Sequence, residues 1–189
     1  MTPQAITILD SWLTVKDNGI EWGSGKSTLW FARRVKHLVS IEHDPVWYDK
    51  VSVWLKRAGA TNVDYRLLSV KSADGLFPYA DVANNYPDQF FDFALVDGKL
   101  RHVCIDRVLP KLRVGGILIL DNSERYVPSD SKGTYLEKGG YLRESAKEWD
   151  DVLAKLSNWR TIRTTNGVWC TRLWIKPCLG DDGGYSENS

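Results

Sequence analysis

Four short stretches set acids or their amides directly after apolar runs. "GIEWGSGKST" puts Glu21 ahead of Gly23 and Gly25, and "VSIEHD" puts Glu42 19 residues beyond Gly23. "FDFALVDGK" closes on Asp97, and "GGILILDN" closes on Asp121 and Asn122. Carboxylates at the ends of buried strands can accept from sugar hydroxyls, hold a cation or take up a proton. The first stretch also contains GSGKST, which has the look of a phosphate loop.

A phosphate loop needs G-x-x-x-x-G-K-[ST], so that backbone N–H groups wrap the anion. Five positions before Gly25 stands Ile20, and Gly19 falls one residue too early. Glu21 and Trp22 occupy the wrapping positions, where a carboxylate repels phosphate and an indole crowds it. An NTPase or kinase using Lys26 remains an alternative, because Asp97 after a strand can pass for its metal ligand. A dinucleotide fingerprint fails at its third glycine, where Thr28 stands. What is left is E-x-G-x-G followed by an acid at the distance suited to ribose hydroxyls. S-adenosylmethionine meets those demands, with a ribose, an ammonium, a sulfonium and no phosphate. Against this stands the plainer reading of a tight turn with solvated acids.

The elements that position these residues alternate. An amphipathic N-terminal helix carries Ile6, Leu9 and Leu13. The strand "NGIEW" leads through the glycine turn into a helix reaching about Lys36, whose Arg33, Arg34 and Lys36 complement the helix dipole. "HLVSIE" is a second strand, and Asp44-Pro45 caps a helix to about Ala58. "VDYRLL", "FDFALVD" and "GGILILD" are further strands, with an irregular connection over 70–90 and a helix over 101–112. The long polar loop 123–140 is the length that usually marks function. Leu142, Ala146, Trp149, Leu153 and Leu156 mark another helix. Two β segments then flank the turn at Asn166-Gly167. This order implies an α/β sandwich with a mostly parallel sheet and an antiparallel edge contributed by the closing hairpin.

Taken together, "GIEWGSGKSTLWFA", "VSIEHD", "FDFALVDG" and "GGILILDN" resemble the class I S-adenosylmethionine-dependent methyltransferases over about residues 4–176. The resemblance implies a Rossmann-like three-layer α/β sandwich with a seven-stranded, mostly parallel sheet and an antiparallel C-terminal strand. It implies cofactor contacts from Glu21, Gly23, Gly25, Ser27, Glu42, His43, Ser72 and Asp97, with Trp47 and Asp74 nearby. Lys26 then merely starts a helix.

The acceptor is read from the other strand ends. No D/N-P-P-Y tetrapeptide follows "FDFALVD", which disfavours an exocyclic amine, and no strand-end cysteine supports carbon methylation. Asp97, Asp121 and Asn122 resemble the metal ligands of catechol-type and related sugar O-methyltransferases. Such oxygen donors suit Mg²⁺, which would acidify a bound hydroxyl. The match is incomplete: Gly98 stands where those enzymes have His, and Lys99 is displaced by one residue from their base. Asp97, Lys99 and Asp121 are the catalytic candidates, with Arg101 and His102 as helix residues that would equally face solvent. Arg125, Tyr126 and Tyr135 in the 123–140 loop would select the acceptor as a lid.

The formal net charge of +1 gives no global field toward nucleic acid or membrane, and no apolar run is long enough to span a bilayer. A small-molecule acceptor is therefore preferred to RNA, with a non-catalytic cofactor-binding module as a further reading. The three cysteines, Cys104, Cys170 and Cys178, lack metal spacing and fit a reducing cytoplasm. Residues 1–179 read as one domain and 180–189 as a disordered tail.

Overall fold

A computed structural model describes residues 1–127 and 146–178. Tyr135 and most of the expected lid, Leu142, and the tail from Gly180 lie outside the described residues. One sheet holds seven strands in the order β3-β2-β1-β4-β5-β7-β6. These are β1 (Asn18–Trp22), β2 (His37–Glu42), β3 (Val63–Leu67), β4 (Phe91–Val96), β5 (Leu112–Asp121), β6 (Arg160–Thr165) and β7 (Cys170–Ile175). β1 to β5 pair in parallel, and β7 runs antiparallel to both β5 and β6. Chain order reverses between β1 and β4, and the crevice outside their carboxyl ends is where such sheets bind ligands.

Helices cover both faces, because the central strands are apolar on both sides. Ala5 and Leu9 of α1 (Pro3–Trp12) and Phe31 of α2 (Lys26–Ala32) pack on Phe93, Leu95 and Ile119. On the other face lie Tyr79 of α4 (Pro78–Asp81), Ile105 of α5 (Arg101–Val108), and Trp149 and Val152 of α6 (Ala146–Leu156). Their partners include Ile20, Trp22, Ala94 and Leu118. The fold is thus the three-layer α/β sandwich, with helix α3 (Pro45–Arg57) alongside β2 and β3.

Local signals explain most boundaries. Asp44 caps α3 by accepting from the Trp47 amide at 2.9 Å, with Pro45 at the first helical position. Gly167, at φ 87°, turns β6 into β7. α2 is shorter than its sequence pattern, ending at Ala32 and not near Lys36. The Asp17 carbonyl takes the amides of Lys36 and His37 at 2.9 and 3.3 Å and draws the chain into β2. Arg33, Arg34 and Lys36 therefore lie past the helix. Arg34 pairs with Asp10 at 2.6 Å and covers the Trp30 ring at 4.1 Å. α5 likewise stops at Val108, and β5 begins at Leu112. The irregular connection over 70–90 contains α4 and a 3-10 turn, Val82–Asn85.

Candidate active site

At the switch point the two strand ends touch through glycines. Gly23 has φ 95°, and a Cβ there would sit 2.9 Å from the Asp97 carbonyl carbon and the Gly98 nitrogen. A Cβ on Gly98 would meet the Tyr79 hydroxyl at 1.9 Å. Both positions exclude side chains by close approach, and Gly23 by conformation as well. Gly25 is extended, so space and not backbone strain is what it leaves open. Trp47 lies beside it and donates its Nε1–H to the Ser24 carbonyl at 2.8 Å.

The two acids of this half are held mainly by hydroxyls and backbone amides, and His43 Nδ1 lies 2.8 Å from Glu42 Oε1. Glu21 is fully buried and accepts from the Ser40 hydroxyl at 2.7 Å and the Ser27 hydroxyl at 3.0 Å. Burial pushes its carboxyl up to about 7, against the hydrogen bonds from Thr28, Ser40 and Ser27, which favour the anion. Glu42 Oε2 accepts from the Ser24 amide (3.2 Å) and hydroxyl (3.0 Å), and Oε1 from the amides of His43 (2.7 Å) and Asp44 (2.9 Å). The Tyr65 hydroxyl lies 2.6 Å from the Ser24 hydroxyl. Glu21, Gly23, Gly25, Ser27, Glu42 and His43 are thereby gathered into one cluster. Ser72 is not joined to it by any described bond: its hydroxyl donates to Asp74 and to the Leu76 carbonyl (3.3 Å), closing its own turn.

The Ser27 hydroxyl is spent on Glu21, whereas a phosphate loop keeps that hydroxyl for Mg²⁺. Lys26 is exposed at the start of α2, as expected of a helix-start residue.

Across the crevice the acids meet a cation. Arg101, 8% exposed, donates to Asp97 Oδ1 at 3.1 Å, to the Asp97 and Gly98 carbonyls at 3.0 Å each, and to the Asp121 carbonyl. Its guanidinium lies 5.0 Å from the Tyr126 ring centre, and Tyr126 stacks on Trp149 at 5.1 Å. Burial pushes Asp97 up to about 6; the Asp121 charge adds to the rise and Arg101 opposes it. Asp121 Oδ1 accepts from the Thr171 hydroxyl at 2.6 Å, and Oδ2 from the Met1 ammonium at 2.6 Å.

This set does not fit Mg²⁺. An octahedral ion needs free oxygens converging on it, yet both Asp121 oxygens and Asp97 Oδ1 are engaged, and a buried cation already stands between the strand ends. Among the described residues no group of three or more His, Cys, Asp or Glu is placed to hold a metal. Asn122 adopts a left-handed conformation (φ 47°) at the turn after β5. Lys99 is exposed and its ammonium has no described polar partner, so it does not join Asp97. Arg101 faces inward and not toward solvent, and no local sequence signal marked that direction, since Asp97 lies outside the helix that Arg101 begins. Tyr79 carried no signal either.

A parallel sheet reversed at β1/β4, an antiparallel β7 inserted beside β5, and acids at the ends of β1, β2 and β4 define a class I S-adenosylmethionine-dependent methyltransferase. Residues 20–123 match the model of a family described as a methyltransferase domain, and the chain belongs to that family. No curated protein matches it. Solved structures share the fold at low identity. An O-methyltransferase from Bacillus cereus, solved in complex with S-adenosylhomocysteine, is 18% identical at a TM-score of 0.65, over 93% of this chain and 82% of that one. An rRNA methylase from Streptococcus thermophilus is 14% identical at 0.62, over 93% and 95%. A methyltransferase from Geobacter sulfurreducens is 18% identical at 0.61, over 94% and 80%. Among the described residues no helix is long and apolar enough to cross a membrane.

Proposed function

We propose that this S-adenosylmethionine-dependent methyltransferase methylates the hydroxyl of a small molecule, with Asp97 as the general base. The observation that carries the reading is Asp97 itself. Its side chain is one-third exposed at the switch point, one oxygen is fixed by Arg101, and its carboxyl is raised to about 6. A carboxylate near neutrality is suited to accept a hydroxyl proton as the oxygen attacks the sulfonium methyl. The bond from methyl to sulfur breaks as the bond to oxygen forms, leaving S-adenosylhomocysteine, and the proton passes from Asp97 to water. The sulfonium is already a good leaving group, so alignment does most of the remaining work.

In this reading Glu42 receives the ribose hydroxyls in place of the Ser24 hydroxyl, which now sits on Oε2. Glu21, buried below the glycine turn, supplies negative potential for the cationic half of the cofactor. Gly23, Gly25, Ser27 and His43 border the same space, and Ser72 would reach the adenine only if its turn opens.

The test is transfer of a labelled methyl group to a panel of phenols and sugars. Asp97→Asn should lower kcat on any acceptor found by about 100-fold, while affinity for S-adenosylhomocysteine stays within about threefold. Full activity in that variant would remove Asp97 from the chemistry.

A second reading, RNA as acceptor, is favoured by one surface. The groove between α2 and α3, of ≈ 430 Å³, is lined by Lys26, Arg33 and Arg57 beside Leu29 and Trp54 and has no acid in its lining. None of the three cations makes a described ion pair. Cations beside an indole suit a single strand. Tight binding of single-stranded RNA that weakens steeply with salt and is lost in Arg33→Glu/Arg57→Glu would favour this acceptor over a small molecule.

A further inference from the structure

We infer that Arg101 takes the place of a divalent ion at the acceptor end, so that this site works without a metal. The inference rests on Asp97 and Asp121 bordering the acceptor, as proposed above.

Three observations converge. The guanidinium spans the gap that an ion would bridge, touching Asp97 at β4 on one side and the Asp121 carbonyl at β5 on the other. It is held there from behind, since its plane packs toward Tyr126, which is stacked on Trp149 of α6. It also consumes the donors a metal would need: Asp97 Oδ1 directly, and the carbonyls of Asp97, Gly98 and Asp121. Thr171, fully buried on β7, takes Asp121 Oδ1, and the Met1 ammonium takes Oδ2.

A fixed guanidinium and a metal differ in what they can do. Both place positive charge beside Asp97, and both tie two strand ends in register. Only the metal binds the acceptor oxygen directly and lowers its pKa. Arg101 has four of its five N–H donors on protein oxygens, so it acts chiefly through Asp97: it fixes the rotamer of the carboxylate and keeps it ionisable. It is a positioning residue. The acceptor must then bring a hydroxyl that ionises without a Lewis acid, which favours phenol-like acceptors over sugar alcohols.

Direct metal binding tests this without any acceptor. Free Mn²⁺ is followed by electron paramagnetic resonance as it is titrated into the full chain saturated with S-adenosylhomocysteine. The wild-type chain should show no stoichiometric site up to about 1 mM, the usual ceiling for functional carboxylate sites. Arg101→Met keeps the length of the side chain, removes its charge and leaves the Asp97 carboxylate without a cationic partner, while Asp121 keeps the Met1 ammonium. Its Mn²⁺ affinity should rise at least about tenfold, and Asp97→Asn in the same background should abolish the gain. Arg101→Lys, which keeps a charge, should bind no Mn²⁺. Far-ultraviolet circular dichroism checks folding of each variant, and Arg101→Lys supplies the comparison if Arg101→Met does not fold.

One Mn²⁺ bound tightly to wild type and lost in Asp121→Asn would overturn the inference, as would an unchanged affinity in folded Arg101→Met. Uptake of Mn²⁺ by Arg101→Lys would overturn it equally. Failure of the wild type to bind S-adenosylhomocysteine would instead strike the proposed function, and is read separately by calorimetry.

Discussion

The two halves of the crevice solve one physical problem in opposite ways. Each must hold two carboxylates at the poorly hydrated end of a parallel sheet. At β1/β2 the compensation is mainly neutral: serine hydroxyls and backbone amides surround Glu21 and Glu42, with His43 Nδ1 2.8 Å from Glu42 Oε1 as well. At β4/β5 it is cationic: a buried guanidinium on Asp97 and the Met1 ammonium on Asp121. Without a guanidinium the first half leaves its two acids available to a ligand carrying a sulfonium and an ammonium, whose charge would favour the ionised form of Glu21. The second half is already neutralised, so it suits an uncharged acceptor. The difference also predicts which half fails when its compensating groups are removed.

The largest effect is expected at the cationic half. Arg101→Ala strips a buried partner from Asp97 and frees three carbonyls, and losing one member of a buried pair costs about 3–5 kcal/mol. The urea midpoint at neutral pH should fall accordingly. A loss below about 1 kcal/mol would mean that water replaces the guanidinium freely, and that the contrast between the halves is superficial.

The next effect belongs to the neutral half and is read by pH. Glu21 has its folded pKa raised to about 7 from 4.5, so the native state holds a proton that the unfolded chain releases. Its relative contribution is therefore complete below 4.5 and is lost as pH rises through 7, by up to about 3 kcal/mol. Asp97, raised to about 6 from 3.8, acts in the same direction in a lower window. Between about pH 6 and 8 the decline should come mainly from Glu21 and flatten in Glu21→Gln. An identical slope in the variant would show that burial of Glu21 does not perturb it.

Third is Glu42→Gln. Replacing one oxygen by NH₂ sets a donor against amides or the Ser24 hydroxyl and removes the charge that receives ribose. Affinity for S-adenosylhomocysteine should drop roughly 30- to 150-fold, or about 2–3 kcal/mol. A calorimetric change under threefold would leave Glu42 a purely structural cap for the turn.

The contrast between the halves was only half visible in the sequence. Apolar strands ending in acids stand out because a strand buried on both faces has few other polar residues to show. Asp44-Pro45 and Asn166-Gly167 were legible because caps and turns are governed by local chemistry. Glu21 and Glu42 followed from their spacing to the glycine turn. Arg101 was weighed as a solvent-facing helix residue, because its direction depends on the left-handed turn at Leu100 (φ 48°) and on the ring of Tyr126. Neither is a property of neighbouring residue types. The Mg²⁺ expectation failed to fit for the same reason: oxygen donors can be counted in a sequence, but what already occupies them cannot. The end of α2 was missed because the Asp17 carbonyl captures the chain from outside the helix.

Tyr79 stands where the halves meet and is expected to give the smallest effect. Its ring is fully buried, edge-on to His43 at 5.8 Å between centres, and its hydroxyl lies against Gly98 and the Lys99 backbone without a well-formed hydrogen bond. Burial holds this phenol well above its ordinary pKa, so it remains a neutral donor. An unpaired buried hydroxyl costs about 1–3 kcal/mol, and deleting it recovers part of that. Tyr79→Phe should therefore stabilise the ligand-free chain by about 1 kcal/mol, raising Tm by roughly 2–4 °C. If the hydroxyl is a packing defect, affinity for S-adenosylhomocysteine will not change. If affinity falls while Tm rises, stability has been given up at the switch point to keep a donor for the ligand. The crevice would then hold a third polar device, between a half tuned by neutral donors and a half closed by a cation.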